Sequence, residues 1–336
     1  MNKKLKAAVI GLGLQNLSDH IPTLLRRRDV DIVAVCDPDL KALERFKEKY
    51  PSLSKNVGYH TDYRQLSKVN IDFAIVAVPH FLYPEIVEFL ASREIYLMKE
   101  KPLARNLAEA DELFQIPGFT KYCFICTQRR FNPLYQFAKE KLDTLGIPFS
   151  FNAVYKLNIA NPEEGWRGDL VKSGGGCILD MGYHIIDQLM WWFGMPDKLF
   201  STKSSLATED VKNYSEDTAT IAFKYENGLH GTVVLSRAAG EKLEHYSVHC
   251  SRGHISGNKK SLIIRNKTGE IIERQQLEDD DKMLDDQLDF FIKRVHSKAG
   301  FIDVVKRNFE NMKFIEKCYG GQKRNSKQIF TTPLYI

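Results

Sequence analysis

Three side chains in the stretch GGGCILDMGYHIID, residues 174–187, stand where polar groups are costly. Asp180, His184 and Asp187 are spaced by four and three, which places them on one face of a helix. That helix runs on into Met190-Trp191-Trp192-Phe193, and acids and histidines in such surroundings must be paired or used. Two readings follow from the spacing: a capped and paired structural cluster, or a catalytic set. A histidine that titrates near neutrality is a natural base for an alcohol proton when hydride leaves the same carbon. A carboxylate beside it would orient the ring and stabilise the imidazolium.

Other segments offer matching chemistry. In KEKPLA, Lys101 stands at the end of a predicted strand and before Pro102, which stiffens the chain and can adopt cis. A lysine held there can polarise a substrate hydroxyl; the competing reading is a surface lysine. GLGLQN starts directly after the first strand, so Gly11, Gly13, Leu14, Gln15 and Asn16 form the turn that would meet a pyrophosphate. Gly11 and Gly13 fit G-x-G-x-x-G, and Asn16 takes the third glycine's place. Asp37 ends the second strand, where an acid binds the adenosine ribose hydroxyls. Pro79, His80 and Tyr83 follow a later strand and fall at the cofactor edge, as does Glu100 beside Lys101. Cys123 and Cys126 form a C-x-x-C, but on a strand they point to opposite faces, and no second pair completes a zinc site. No metal is expected.

The elements that must position these groups change character along the chain. Up to about residue 125, apolar runs (KAAVIGLG, DIVAVCD, IDFAIVAVP, EIYLMKEKP, KYCFICT) alternate with helical stretches. This is the pattern of βαβ units and a parallel sheet. Beyond Gln128 the signal becomes helix, then strands with turn pairs at Asn227-Gly228 and Thr268-Gly269, then two long helices. The reading is α/β: a Rossmann doubly wound domain over 1–125, and an α+β domain on a mostly antiparallel sheet over 126–336 for substrate and oligomerisation.

Length and composition agree with two soluble domains: 336 residues, 43% hydrophobic and 27% charged. A net charge of +5, without a basic stripe interleaved with aromatics, argues against a nucleic-acid partner. The apolar runs are too short for a membrane span. The basic, apolar start is too short a run for a signal peptide, and six scattered cysteines suit a reducing cytoplasm.

Several segments, in order, resemble the Gfo/Idh/MocA oxidoreductases, the family of glucose-fructose oxidoreductase and inositol dehydrogenase. They are VIGLG (9–13), CDPD (36–39), VAVP (76–79), EKPLA (100–104), RRFNP (129–133) and WRGDLVKSGGGCILDMGYHIID (166–187). The resemblance implies a nicotinamide dinucleotide bound between the two domains, with Lys101, Asp180 and His184 as the catalytic set. It implies that glycines 174–176 let backbone approach the ligand. Asn16, His80 and Tyr83 depart from the family's usual Gly, Asn and His.

The expected activity is hydride transfer between NAD and a secondary alcohol of a sugar, a sugar derivative such as a nucleotide sugar, or a cyclitol. Lys101, Trp166, Arg167, Asp180 and His184 are the expected substrate contacts. Arg129 and Arg130 are either anion contacts or surface residues. NAD is expected over NADP, because Asp37 would face the 2′-phosphate of NADP. The alternatives are an NAD-dependent glycosidase working by redox elimination, and a non-catalytic dinucleotide sensor. A homodimer or homotetramer is expected through the second sheet, whose strands TATIAFKY and GTVVLS carry enough apolar positions to make an open face sticky.

Overall fold

Runs such as Phe73–Val76 and Tyr96–Lys99 are buried at every position, as strands covered on both faces must be. They belong to a six-stranded sheet: β1 (Leu5–Ile10), β2 (Val30–Cys36), β3 (Gly58–His60), β4 (Phe73–Val76), β5 (Tyr96–Lys99) and β6 (Cys123–Ile125). The computed structural model describes residues 4–159, 164–206, 215–278 and 281–320. In this sheet the order is β3-β2-β1-β4-β5-β6 and every pairing is parallel. The order reverses between β1 and β4, and ligands bind in the crevice at the carboxyl ends beside such a reversal. The segments that follow β1, β2, β4 and β5 carry Gly11, Asp37, Pro79 and Lys101 to that edge.

The second sheet has eight strands: β7 (Pro148–Asn158), β8 (Lys198–Ser204), β9 (Thr218–Lys224), β10 (His230–Ser236), β11 (Ala238–Cys250), β12 (Gly253–Gly257), β13 (Ser261–Asn266) and β14 (Ile271–Gln276). Its order is β14-β13-β12-β11-β7-β10-β9-β8, antiparallel except for the β7–β10 pair. The helix Tyr183–Phe193 lies against one face, with Trp192 6.2 Å from Phe151 and 5.2 Å from Tyr246 between ring centroids.

The period-2 alternation decides what the other face shows: a mixed surface in which Phe200, Ile263, Val154 and Val234 stand among polar residues. Ile221, Phe223, Val233 and Leu235 turn inward and are buried. One cross-strand row of the open face reads Arg274, Ile263, Ser256, Ser247, Asn152, Thr232, Ala222, Phe200. The next reads Arg265, His254, His249, Ser150, His230, Lys224, Lys198. Phe200, 67% exposed, is its largest bare apolar group.

The two last helices, Lys282–Ser297 and Ile302–Cys318, return to the first sheet. Phe291 meets Phe73, Phe124 and Phe301 at centroid distances of 5.3, 5.8 and 5.5 Å. Arg26 pairs with Asp281 and Asp285, and Arg27 with Asp289, along the first two turns of the first of these helices.

Candidate active site

The turn after β1 is shaped by two glycines for different reasons. Gly11 has φ +85°, and a Cβ there would lie 2.2 Å from the Ala77 carbonyl oxygen. At Gly13 an added Cβ meets nothing within 4 Å, so the turn faces open space there. Asn16 is fully buried and its amide donates to the carbonyls of Ile10 and Gly11. It clamps the turn from below and opens a π-helical turn, Asn16–His20, ahead of the helix Ile21–Leu25. Leu14 is exposed and Gln15 donates to Asp19. Asp37 accepts from the Leu12 N–H at 2.7 Å and the Asp39 N–H at 2.9 Å, which fixes its carboxylate against the same turn. The bare Gly13, the turn and Asp37 therefore fit a dinucleotide's pyrophosphate and ribose.

Lys101 follows β5, and its peptide bond to Pro102 is cis. Its ammonium donates to Asp180 twice, to the carboxylate at 2.7 Å and to the main-chain oxygen at 2.8 Å. Arg167 approaches the other carboxylate oxygen at 3.2 Å. Burial opposes ionisation of Asp180, but Lys101, Arg167 and His80 outweigh it and hold the carboxyl far below its ordinary range. Burial, then the charges of Lys101 and Arg129, pull His184 well below the usual histidine value, so its ring is neutral.

Around this pair the aromatic groups stack. The Arg167 guanidinium lies 4.4 Å from the Trp166 ring, and Trp166 meets His80 edge-on at 4.5 Å. His80 donates from Nδ1 to the Ser173 carbonyl at 2.7 Å and so ties the β4 turn to the glycine segment. Burial drives its pKa down to about 3. Pro79 precedes it, and Tyr83 is buried beneath. Glu100 pairs with His20 at 2.8 Å and accepts from the Lys101 N–H. Burial raises its pKa, but His20 and Lys101 more than offset this and the carboxyl stays below its ordinary value. Cys126 joins His20 and Glu100 with ligand atoms within 4.8 Å of one another. The His20–Glu100 hydrogen bond already occupies two of those three, so the group reads as a hydrogen-bonded cluster.

Three expectations change. Asp180 precedes the helix, which starts at Tyr183, so the three polar groups of the opening stretch do not share a site. Asp187 turns to Arg130, with contacts of 2.9–3.1 Å, and to Asn311 at 2.7 Å. Second, Arg129 and Arg130 are neither surface residues nor free anion contacts: Arg129 pairs with Glu244 at 2.9 Å and Arg130 with Asp187. Third, the three glycines approach protein rather than ligand. A Cβ at Gly174, Gly175 or Gly176 would fall 2.4, 2.4 or 1.9 Å from Arg105, Tyr319 or Glu216. Glu216 accepts from the N–H groups of Gly176 and Ile178 and from the Tyr319 hydroxyl. It carries no motif and stands forty positions from the turn it holds, so no local signal marks it.

Residues 5–118 match the oxidoreductase family with an NAD-binding Rossmann fold, and residues 135–256 match the GFO/IDH/MocA C-terminal domain. Fold and site thus define an oxidoreductase of the NAD-binding Rossmann class. The chain belongs to the Gfo/Idh/MocA family. One relative is the putative UDP-kanosamine synthase oxidoreductase subunit of Amycolatopsis mediterranei, 27% identical over 190 residues, 56% of this chain and 52% of that protein. Another is the myo-inositol 2-dehydrogenase of Thermotoga maritima, 26% identical over 240 residues, 70% of this chain and 69% of that one. The chain therefore spans about half the length of the first of these relatives. Among solved structures, an oxidoreductase from Thermotoga maritima superposes with a TM-score of 0.79 at 18% identity, covering 94% of this chain and 96% of that one. The WlbA dehydrogenase from Bordetella pertussis, in complex with NADH and UDP-GlcNAcA, gives 0.75 at 16% identity, covering 95% and 96%. At these identities the superpositions speak for the fold. Among the described residues no helix is long and apolar enough to cross a membrane.

Proposed function

We propose that the protein is an NAD-dependent dehydrogenase acting on a secondary alcohol of a sugar, a sugar derivative such as a nucleotide sugar, or a cyclitol. The observation that carries the reading is the Lys101–Asp180 pair, 2.7 Å apart, with a neutral His184 four residues beyond Asp180 at the start of the helix Tyr183–Phe193. NAD, when bound, supplies the hydride acceptor. Lys101 donates to the substrate oxygen and favours alkoxide-like charge on it. The unprotonated His184 ring takes the hydroxyl proton. Asp180 keeps Lys101 aimed, and Trp166 with Arg167 lines the substrate side. Gly11, Gly13, Leu14, Gln15, Asn16, Asp37, Pro79, His80 and Glu100 form the cofactor side. The relatives named above support this class of substrate. A panel of free sugars, sugar acids, cyclitols and nucleotide sugars, followed by NADH absorbance, tests it. His184→Asn should lower turnover by roughly two to four orders of magnitude with NAD affinity kept; near-normal turnover removes His184 from the mechanism.

NAD is the preferred cofactor, supported by Asp37 at the turn and by Asp39, which caps the helix Leu40–Lys49 and engages Arg45 at 3.5 Å. The division into a dinucleotide-binding unit over 1–125 and a substrate and assembly unit over 126–336 follows the two sheets. The six cysteines are all free and buried, in keeping with a reducing cytoplasm. The open face of the second sheet, with Phe200 bare upon it, would meet a second copy in a homodimer or homotetramer. A monomeric mass by light scattering at micromolar concentration defeats that assembly.

A further inference from the structure

Lys99, the last residue of β5, has no exposed surface. Its ammonium donates to the main-chain oxygens of Glu100 at 3.0 Å, Leu103 at 3.2 Å and Pro102. It also lies 3.7 Å from the centroid of the Tyr83 ring, whose face supplies the remaining negative potential. The charged and titratable groups around it are Cys123 and Cys126 of the β6 segment, Glu109 of the helix Leu107–Gln115, Glu100, Tyr83 and His80, and among the described residues none forms an ion pair with it. A buried ammonium without a carboxylate is a costly way to fill space that a methionine would fill more cheaply. What it does that methionine cannot is draw three carbonyls to one point.

Those carbonyls flank Lys101. We infer that Lys99, backed by Tyr83, is the positioning residue of Lys101: by gathering the main chain on both sides of it, Lys99 aims the Lys101 ammonium at Asp180. This rests on Lys101 acting in catalysis, as proposed above. It also gives the two departures at the β4 turn a common purpose. Tyr83 presents its ring to Lys99, while His80, stacked on Tyr83 with centroids 6.2 Å apart, holds the glycine segment that leads to Asp180.

The pH response separates positioning from bulk. Burial draws Lys99 down from its ordinary 10.5 to about 8. Between those values the unfolded chain binds more protons, so this group makes the fold more stable as pH rises. The neutral amine, however, has one hydrogen fewer for three carbonyls, and turnover should decline above about pH 8 while the melting temperature does not follow it down.

The test uses Lys99→Met and, should that variant fold poorly, Lys99→Gln, whose amide keeps two donors. The first probe is acetic anhydride at pH 7.5, with acetylation of each lysine followed by peptide mass spectrometry. In wild type Lys101 should label slowly; in Lys99→Met its rate should rise roughly fivefold or more while that of the exposed Lys41 stays constant. The second probe is turnover of the most active panel substrate. Lys99→Met should lower kcat between roughly ten- and a hundredfold, the scale of a misplacement of about an ångström, with the Kd for NAD kept. The decline above pH 8 should be absent from that variant, and Lys99→Gln should recover part of kcat. Unchanged labelling of Lys101 overturns the positioning role. Faster labelling with unchanged kcat leaves positioning standing and removes Lys101 from catalysis instead.

Discussion

Asp180 and Asp187 lie seven positions apart in one segment and each pairs with a cationic side chain, yet they serve different ends. Asp180 sits in a turn, its side chain 15% exposed, held by a lysine and an arginine that is itself 47% exposed. Asp187 sits on the helix, its side chain 3% exposed, gripped by the Arg130 fork and the Asn311 amide. An ammonium is a point charge on a flexible stem and can turn from its partner to a substrate oxygen. A guanidinium bound through two nitrogens is fixed in plane and direction. The first pair faces the crevice and can exchange partners; the second joins three elements and cannot.

Substitution at the two sites should therefore fail in opposite ways. Asp180→Asn is expected to reduce kcat by roughly two to four orders of magnitude with little change in melting temperature, because Lys101 and His184 lose the charge that organises them. Asp187→Asn leaves Arg130 buried without its counter-charge and should cost about 3–5 kcal/mol of stability, read by urea unfolding. Turnover per folded molecule should survive it. The comparison collapses if Asp187→Asn abolishes turnover in a protein that still melts like wild type.

A smaller effect sharpens the contrast from the cofactor side. Asp37 is held by two main-chain N–H groups and so cannot swing away from a 2′-phosphate. Like charges a few ångströms apart cost on the order of 1–4 kcal/mol near a surface, roughly a ten- to several-hundredfold preference for NADH over NADPH. The double change Asp37→Ser, Pro38→Arg should narrow or reverse it. Equal Kd values for the two cofactors in wild type would mean that Asp37 does not read the ribose.

Much of this architecture could be read from local pattern. Buried apolar runs marked β1, β2, β4, β5 and β6, and the position of Gly11, Asp37 and Lys101 at strand ends followed from them. The strands not singled out are those without a clean apolar signature: β3 is three residues long, β12 carries glycine at both ends, and β8 and β14 have no buried position. The site divided in the same way. The structure brings Lys101 and Asp180 into contact, and each stands in a motif. Spacing misjudged Asp187, because its fate is decided by Arg130 and Asn311, far off in the chain. Lys99 was invisible for a related reason: KEK reads as a charged strand end, and only the tertiary fold reveals that its first lysine points inward.

The clasp on the glycine turn imposes an order in time. The glycine turn ahead of Asp180 is steadied by Glu216, and Glu216 in turn by the Tyr319 hydroxyl just past the helix Ile302–Cys318. During synthesis the six strands of the first sheet emerge well before Tyr319 exists, while the helices Lys282–Ser297 and Ile302–Cys318 that pack on it come later. A nascent chain can thus hold all six strands of the first sheet while the glycine turn before Asp180 is still unclasped. The glycine turn is clasped only once Tyr319, 103 positions beyond Glu216, has been made and packed against it.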